Sequence, residues 1–176
     1  MLKKMLRFIN IKIMSEDKYI AYLRHKGVKI GQECEIHKEV IFGSEPYLIT
    51  IGNHVRITRG VKFVTHDGGL WVLRKLGKCP NADHFGSIVI GDNTHIGWDS
   101  TIMPGVHIGN NCVIGCSSVV TKDIPDNSVA VGVPARVIET IDQYYEKNAK
   151  NLVPTYGMSA SEKELYLKEN YESLFG

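Results

Sequence analysis

The 176-residue sequence lacks a long apolar run, a block of like charge and any paired cysteine motif. No stretch approaches the ~18 consecutive apolar residues of a membrane-spanning helix. Lysine and arginine number 21 against 19 acidic residues, a net charge of +2. With no basic run interleaved with aromatics, nucleic acid is not an expected partner. The four cysteines (Cys34, Cys79, Cys112 and Cys116) form no CxxC pair, and no Cys/His set stands at zinc-finger spacing. They read as free thiols suited to a reducing cytoplasm, and no metal is expected. The length points to one domain with room for a sizeable core.

The first 14 residues hold four cations and no acid. Their apolar stretches are too short and too interrupted for a signal peptide. This segment reads as a helix packed on the domain or across a subunit contact. A basic helix on an anionic membrane surface is the other reading.

What the sequence has in quantity is a period of six. Ile90, Ile96, Ile102, Ile108, Ile114 and Val120 follow at that spacing without a break. The positions two before each (Ile88, Thr94, Ser100, Val106, Cys112, Ser118) are small or β-branched, and Gly91, Gly97, Gly109 and Gly115 follow the aliphatic residue. Ile30, Ile36, Phe42 and Leu48 begin the same series, which slips by three and resumes at Ile51, Ile57 and Phe63. An α-helix repeats at three and four and a lone strand at two, so neither fits. A period of six describes a short strand, a tight turn and a new strand, with the aliphatic side chain inward each time. Three such faces close a coil of about 18 residues, and stacked coils bury a continuous aliphatic column. Glycine near each corner supplies positive φ or close backbone approach. The expected fold class is therefore mainly β.

The ends read as helices. Ser15 is an N-cap, Glu16 and Asp17 fall in the first turn, Arg24 to Lys26 in the last, and Gly27 is the stop. Glu139 to Lys150 is expected to be helical, with a linker over Asn151 to Tyr156. Ser159 and Glu162 form a capping-box pattern before a further helix to about Tyr171.

The strings IGDNTHIG, IMPGVHIGNNCVIGCSSVVTKDIP and VAVGVPARVI resemble the hexapeptide-repeat acyltransferases, over roughly Val28 to Ile138. That resemblance, not the periodicity, implies a left-handed parallel β-helix, against the usual right-handed crossover. The expected organisation is an N-terminal helical segment over 1–27, the β-helix over 28–138 with a loop at 66–87, and a C-terminal helical segment over 139–176. The resemblance also implies acetyl-CoA as cosubstrate and a homotrimer with its sites between subunits.

Between Phe63 and Ile88 the six-residue pattern fails. Loops of that length inside a compact domain usually carry function. In the family's sugar O-acetyltransferases a His following Thr or Gly at this place is the general base, and VTHDGG puts His66 there. Imidazole suits the task because its ordinary pKa lies near neutrality. Asp67 either shapes the turn or faces the acceptor. A carboxylate orienting His66 comes from Glu45 or elsewhere. Trp71 and Arg74 are candidates for an acceptor floor and a polar clamp, and His84 for the far side of the site. By the resemblance, Cys116, Ser117 and Ser118 line the coenzyme A groove, Thr121 and Lys122 match the family's Thr-Lys pair, and Arg136 matches the Arg of its GVPxR turn. Lys122 and Arg136 bring positive charge to the nucleotide phosphates. Galactoside-type members commonly carry Trp where His95 stands; here Trp98 comes three residues later and is assigned to the same groove.

The functional expectation is direct acetyl transfer from acetyl-CoA to a sugar hydroxyl of a surface or capsular polysaccharide precursor, in the cytoplasm. Transfer to an amino sugar is the rival within the class. A non-catalytic β-helix scaffold is the rival outside it, opposed by the intact His66, Lys122 and Arg136. A zinc enzyme like the γ-class carbonic anhydrases needs two histidines five residues apart, and no two here are so spaced.

Overall fold

The computed structural model describes residue 11 and residues 13–175. The chain forms two compact units, divided between Ile141 and Asp142.

In the larger unit the chain circulates among three sheets. The first stacks Lys29–Ile30, Ile49–Ile51, Ile88–Ile90 and His107–Ile108 in parallel. The second stacks Glu35–Ile36, Arg56–Ile57, His95–Ile96, Val113–Ile114 and Ser128–Gly132, again in parallel. The third holds Lys62–Phe63, Thr101–Ile102 and Val119–Val120. Ile90 pairs with Ile108, Ile96 with Ile114 and Ile102 with Val120, each 18 residues on. A two-residue strand places only one side chain inward, so one residue carries the burial for each face. Ile57, Phe63, Ile90, Ile96, Ile102, Ile108, Ile114 and Val120 are accordingly no more than 1 % exposed.

Gly91 and Gly97, at their corners, answer to space rather than φ. A Cβ on Gly91 would lie 2.6 Å from the Gly109 carbonyl carbon, and one on Gly97 2.6 Å from the Cys116 nitrogen. Positive φ falls two residues after Gly52, Gly91, Gly97 and Gly109, on His54, Asn93, Asp99 and Asn111, and again on Asn127, between 50° and 58°. Asparagine tolerates that conformation best among residues with a side chain. Its amides also form a ladder up the corner. Asn93 Nδ2 donates to Asn111 Oδ1 at 2.9 Å, and Asn111 Nδ2 to Asn127 Oδ1 at 2.8 Å. Beside it, the Oδ1 atoms of Asn53, Asp92, Asn110 and Asp126 each accept a backbone N–H from the coil before, at 2.7–2.9 Å. The Asn110 N–H, first of all, holds the Asp126 carboxyl below its ordinary range. Asn111→Ala removes two ladder bonds and leaves alanine at a left-handed φ. It should cost about 1–3 kcal/mol, read as a lower urea midpoint at unchanged m-value. Asn111→Gly keeps the φ and should lose less.

Three expectations need correction. Leu48 is not an inward residue: Pro46–Leu48 is a 3₁₀ turn, and Ile49 and Ile51 take the buried positions of a three-residue strand. Alternation at period two turns both ends of that strand inward. Glu139 and Thr140 are not helical. They end a strand, Ala135–Thr140, that returns antiparallel on Ser128–Gly132, and the helix runs Ile141–Asn148. The β-branched Val137, Ile138 and Thr140 favour the strand. The excursion at 66–87, expected as a loop, contains a helix, Leu70–Lys75.

Helix Glu16–His25 follows Ser15 and buries Tyr19, Ile20 and Leu23 in the same core. Residues 1–10 and 12 lie outside the described residues, and with them most of the segment expected to make an N-terminal membrane or subunit contact. In the smaller unit Ser159 and Glu162 exchange both capping-box bonds at the head of Ala160–Glu169. No helix among the described residues is long and apolar enough to cross a membrane.

Candidate active site

The circuit breaks after Phe63 in a particular way. Gly86 N–H donates to Thr65 O at 2.9 Å, Asp67 N–H to His84 O at 2.9 Å, and His66 and Phe85 form an antiparallel bridge. The residues between leave and return at one point, held by a short antiparallel stem. Arg74 closes the excursion further. Its guanidinium donates to the Asp83 carboxylate and, at 3.0 Å, to Ala82 O.

His66 stands on the corner between the third and first sheets. Its Nδ1 lies 3.1 Å from Glu45 Oε2 and 3.4 Å from Ser44 Oγ. Thr65 Oγ1 donates to the same Glu45 Oε2 at 2.6 Å. The Thr65 hydroxyl, then Ser44, hold the Glu45 carboxyl below the usual carboxylate range, so it is ionised at neutral pH. An anionic acceptor at Nδ1 fixes the ring proton there and leaves Nε2 as the basic nitrogen. Phe85 packs edge-on against the imidazole, with centroids 6.2 Å apart and planes at 65°.

Beside this pair lies a cavity of about 390 Å³, lined by His66, Asp67, His84, Met103 and Thr121 among others. Val64, Met103 and Thr121 rise along it on successive coils: Val64 N–H donates to Ile102 O at 2.9 Å and Met103 N–H to Val120 O at 3.0 Å. Two coil spacings put Thr121 about 10 Å up the axis from the His66 corner. The structure thus brings His66, Glu45, Asp67, His84 and Thr121 together. Asp67 Oδ1 accepts from Gly69 N–H at 2.8 Å, so it shapes the turn as well as lining the cavity.

Other expected site residues stand elsewhere. Trp71 is 74 % exposed and, like Arg74, does not line this cavity. The Arg74 guanidinium is engaged by its own loop, at Asp83 and Ala82. Trp98, Cys116 and Ser117 sit on the corner between the second and third sheets, where Ser117 N–H donates to Trp98 O at 2.7 Å. Trp98 borders a groove of about 680 Å³ with His37, Arg56 and Arg59. Ser118 is fully buried. Its hydroxyl donates to Gly115 O at 2.7 Å and accepts from Gly132 N–H at 3.1 Å, so its side chain braces the coil instead of lining a groove. Lys122 and Arg136 are exposed; Arg136 Nη1 donates to Ala135 O at 2.8 Å on the returning strand. Thr65, Ser44, Phe85 and Met103 were missed by sequence reasoning. Thr65 and Ser44 adjoin named residues, which is a usable signal; Phe85 becomes legible only once the loop ends are known to pair. Among the described residues no three His, Cys, Asp or Glu side chains gather as a metal site.

Residues 87–122 match the family model described as bacterial transferase hexapeptide (six repeats). Protein CapG of Staphylococcus aureus is 47 % identical over 173 residues, covering 97 % of each chain. The galactoside O-acetyltransferase of Escherichia coli (strain K12) is 45 % identical over 111 residues, 60 % of this chain and 53 % of that protein. A hexapeptide-repeat acetyltransferase of Vibrio cholerae O1 biovar eltor, solved with acetyl coenzyme A, aligns with a TM-score of 0.63 at 27 % identity, covering 76 % of this chain and 82 % of that one. With the six-residue circuit, the family model and a full-length relative in agreement, this chain belongs to the hexapeptide-repeat acyltransferase family.

Proposed function

We propose that the protein transfers the acetyl group of acetyl-CoA to a sugar hydroxyl of a surface or capsular polysaccharide precursor, with His66 as general base. The observation that carries this reading is the His66–Glu45 pair at 3.1 Å beside a cavity that also holds Thr121. His66 Nε2 takes the hydroxyl proton as the acceptor oxygen attacks the thioester carbonyl. The new C–O bond forms, the C–S bond breaks, and the proton passes from the imidazolium to the leaving thiolate. Glu45 stabilises the imidazolium and keeps the tautomer. Lys122 and Arg136 take the nucleotide phosphates.

Trp98, Cys116 and Ser117 stand on a different corner from His66, and a second copy would bring the two corners together. The assembly proposed is a homotrimer of left-handed coils, working in the cytoplasm where acetyl-CoA is made. The test is to incubate the protein with acetyl-CoA and a panel of sugars, nucleotide sugars and amino sugars, following free thiol. Thiol release with a hydroxyl acceptor is the expected result. Release with amines alone would replace O- by N-acetylation, and failure to bind coenzyme A would overturn the reading. Lys122→Ala should raise KM for acetyl-CoA about tenfold at unchanged kcat, since a phosphate contact acts equally on ground and transition states.

A further inference from the structure

We infer that Thr65 is a positioning residue for the transfer: its hydroxyl fixes the Glu45 carboxylate oxygen that sets the tautomer of His66. This rests on the reading of His66 as general base.

Thr65 and His66 are neighbours in sequence whose side chains part company. Thr65 is fully buried, whereas the His66 side chain is 45 % exposed. One carboxylate spans the two. Glu45 Oε2 accepts from Thr65 Oγ1 at 2.6 Å and lies 3.1 Å from His66 Nδ1. A threonine hydroxyl has a single proton to give, and here it is given to that oxygen.

The backbone holds the donor in place. Thr65 O accepts from Gly86 N–H at 2.9 Å in the loop stem. The corner that delivers Glu45 closes tightly on Thr65. Gly43 has φ +66°, and a Cβ there would lie 3.0 Å from Phe63 O and 3.2 Å from Thr65 Oγ1. A glutamate left to itself samples many rotamers, and freezing them costs free energy. A short hydrogen bond from a buried, immobile donor supplies that restraint, and it acts on the oxygen that faces the imidazole.

The test uses the full-length protein without acceptor. Ring ¹⁵N spectra should show neutral His66 carrying its proton on Nδ1, and Glu45→Ala should move it towards Nε2. Thr65→Val, which keeps the shape and removes the hydroxyl, should move it the same way, and Thr65→Ser should restore the wild-type spectrum. With an acceptor that gives thiol release, Thr65→Val should lower kcat about tenfold at unchanged KM for acetyl-CoA. In a Glu45→Ala background it should cost nothing further, because the two act through one contact. A Thr65→Val spectrum identical to wild type, or an undiminished Thr65→Val effect without Glu45, overturns the proposal. If His66→Ala transfers at the wild-type rate, the base assignment falls and this proposal with it. Loss in His66→Ala beside an unchanged Thr65→Val overturns the positioning alone.

Discussion

His66→Ala should lower kcat/KM for acetyl transfer by about 10²–10⁴ while coenzyme A binding is kept. The acceptor hydroxyl is a poor nucleophile until its proton is leaving, and the imidazole is the group held by an anionic partner at one nitrogen, Glu45 at 3.1 Å. That partner favours the charged ring that forms as the proton arrives, so the loss should appear in kcat and not in KM for acetyl-CoA. His84 lines the same cavity, but among the described residues no hydrogen bond of its ring to a carboxylate is seen. A His66→Ala variant with full rate, beside a His84→Ala variant without it, would transfer the role to His84. Loss in both variants, larger for His66, is the expected pattern.

The coil was legible because it rests on one residue in six. Ile90 to Val120 are spaced by the geometry of short strands of two or three residues and the corners between them. Handedness and oligomeric state are not written in spacing at all. At the corners the sequence held more than was read from it. Asn93, Asn111 and Asn127 recur 18 and then 16 residues apart, and they take positive φ where Gly91 and Gly109, two residues before the first two, do not.

The site was legible in part for a similar reason. His66 announces itself by standing where the repeat stops. Glu45, 21 residues earlier, meets it because one circuit of the coil brings chain separated by about that length onto the same corner. Trp71 and Arg74 were named on residue type, and they stand on the excursion outside the His66 cavity. Arg74 sits opposite Asp83 once the loop folds on itself, a pairing that local sequence gives no reason to expect. The loop helix Leu70–Lys75 is six residues long, too short for any periodicity to appear.

Ile96→Ala should destabilise the larger unit by about 2–5 kcal/mol, towards the upper end of that range. Ile96 is fully buried and pairs on one side with Ile57 and on the other with Ile114. The backbone around it has little freedom to collapse into the space left. Thr58 N–H and Thr58 Oγ1 both donate to Ile96 O, at 3.2 and 2.7 Å, and Gly97 N–H donates to Ile114 O at 2.8 Å. A site that cannot relax keeps its cavity, and the cost grows with the volume kept. Ile96→Val, which removes one methylene, should cost about 0.5–1.5 kcal/mol. Urea unfolding at a fixed protein concentration checks both, since association would otherwise shift the midpoint. Against a total stability of about 5–15 kcal/mol, the larger change is a substantial fraction of the whole. Each coil touches only its neighbours, so the damage should reach the Phe63 and Ile102 coils that carry the His66 corner. The molecules that remain folded should still transfer acetyl groups at near the normal kcat. A midpoint within about 0.5 kcal/mol of wild type would mean that the column is not packed as described.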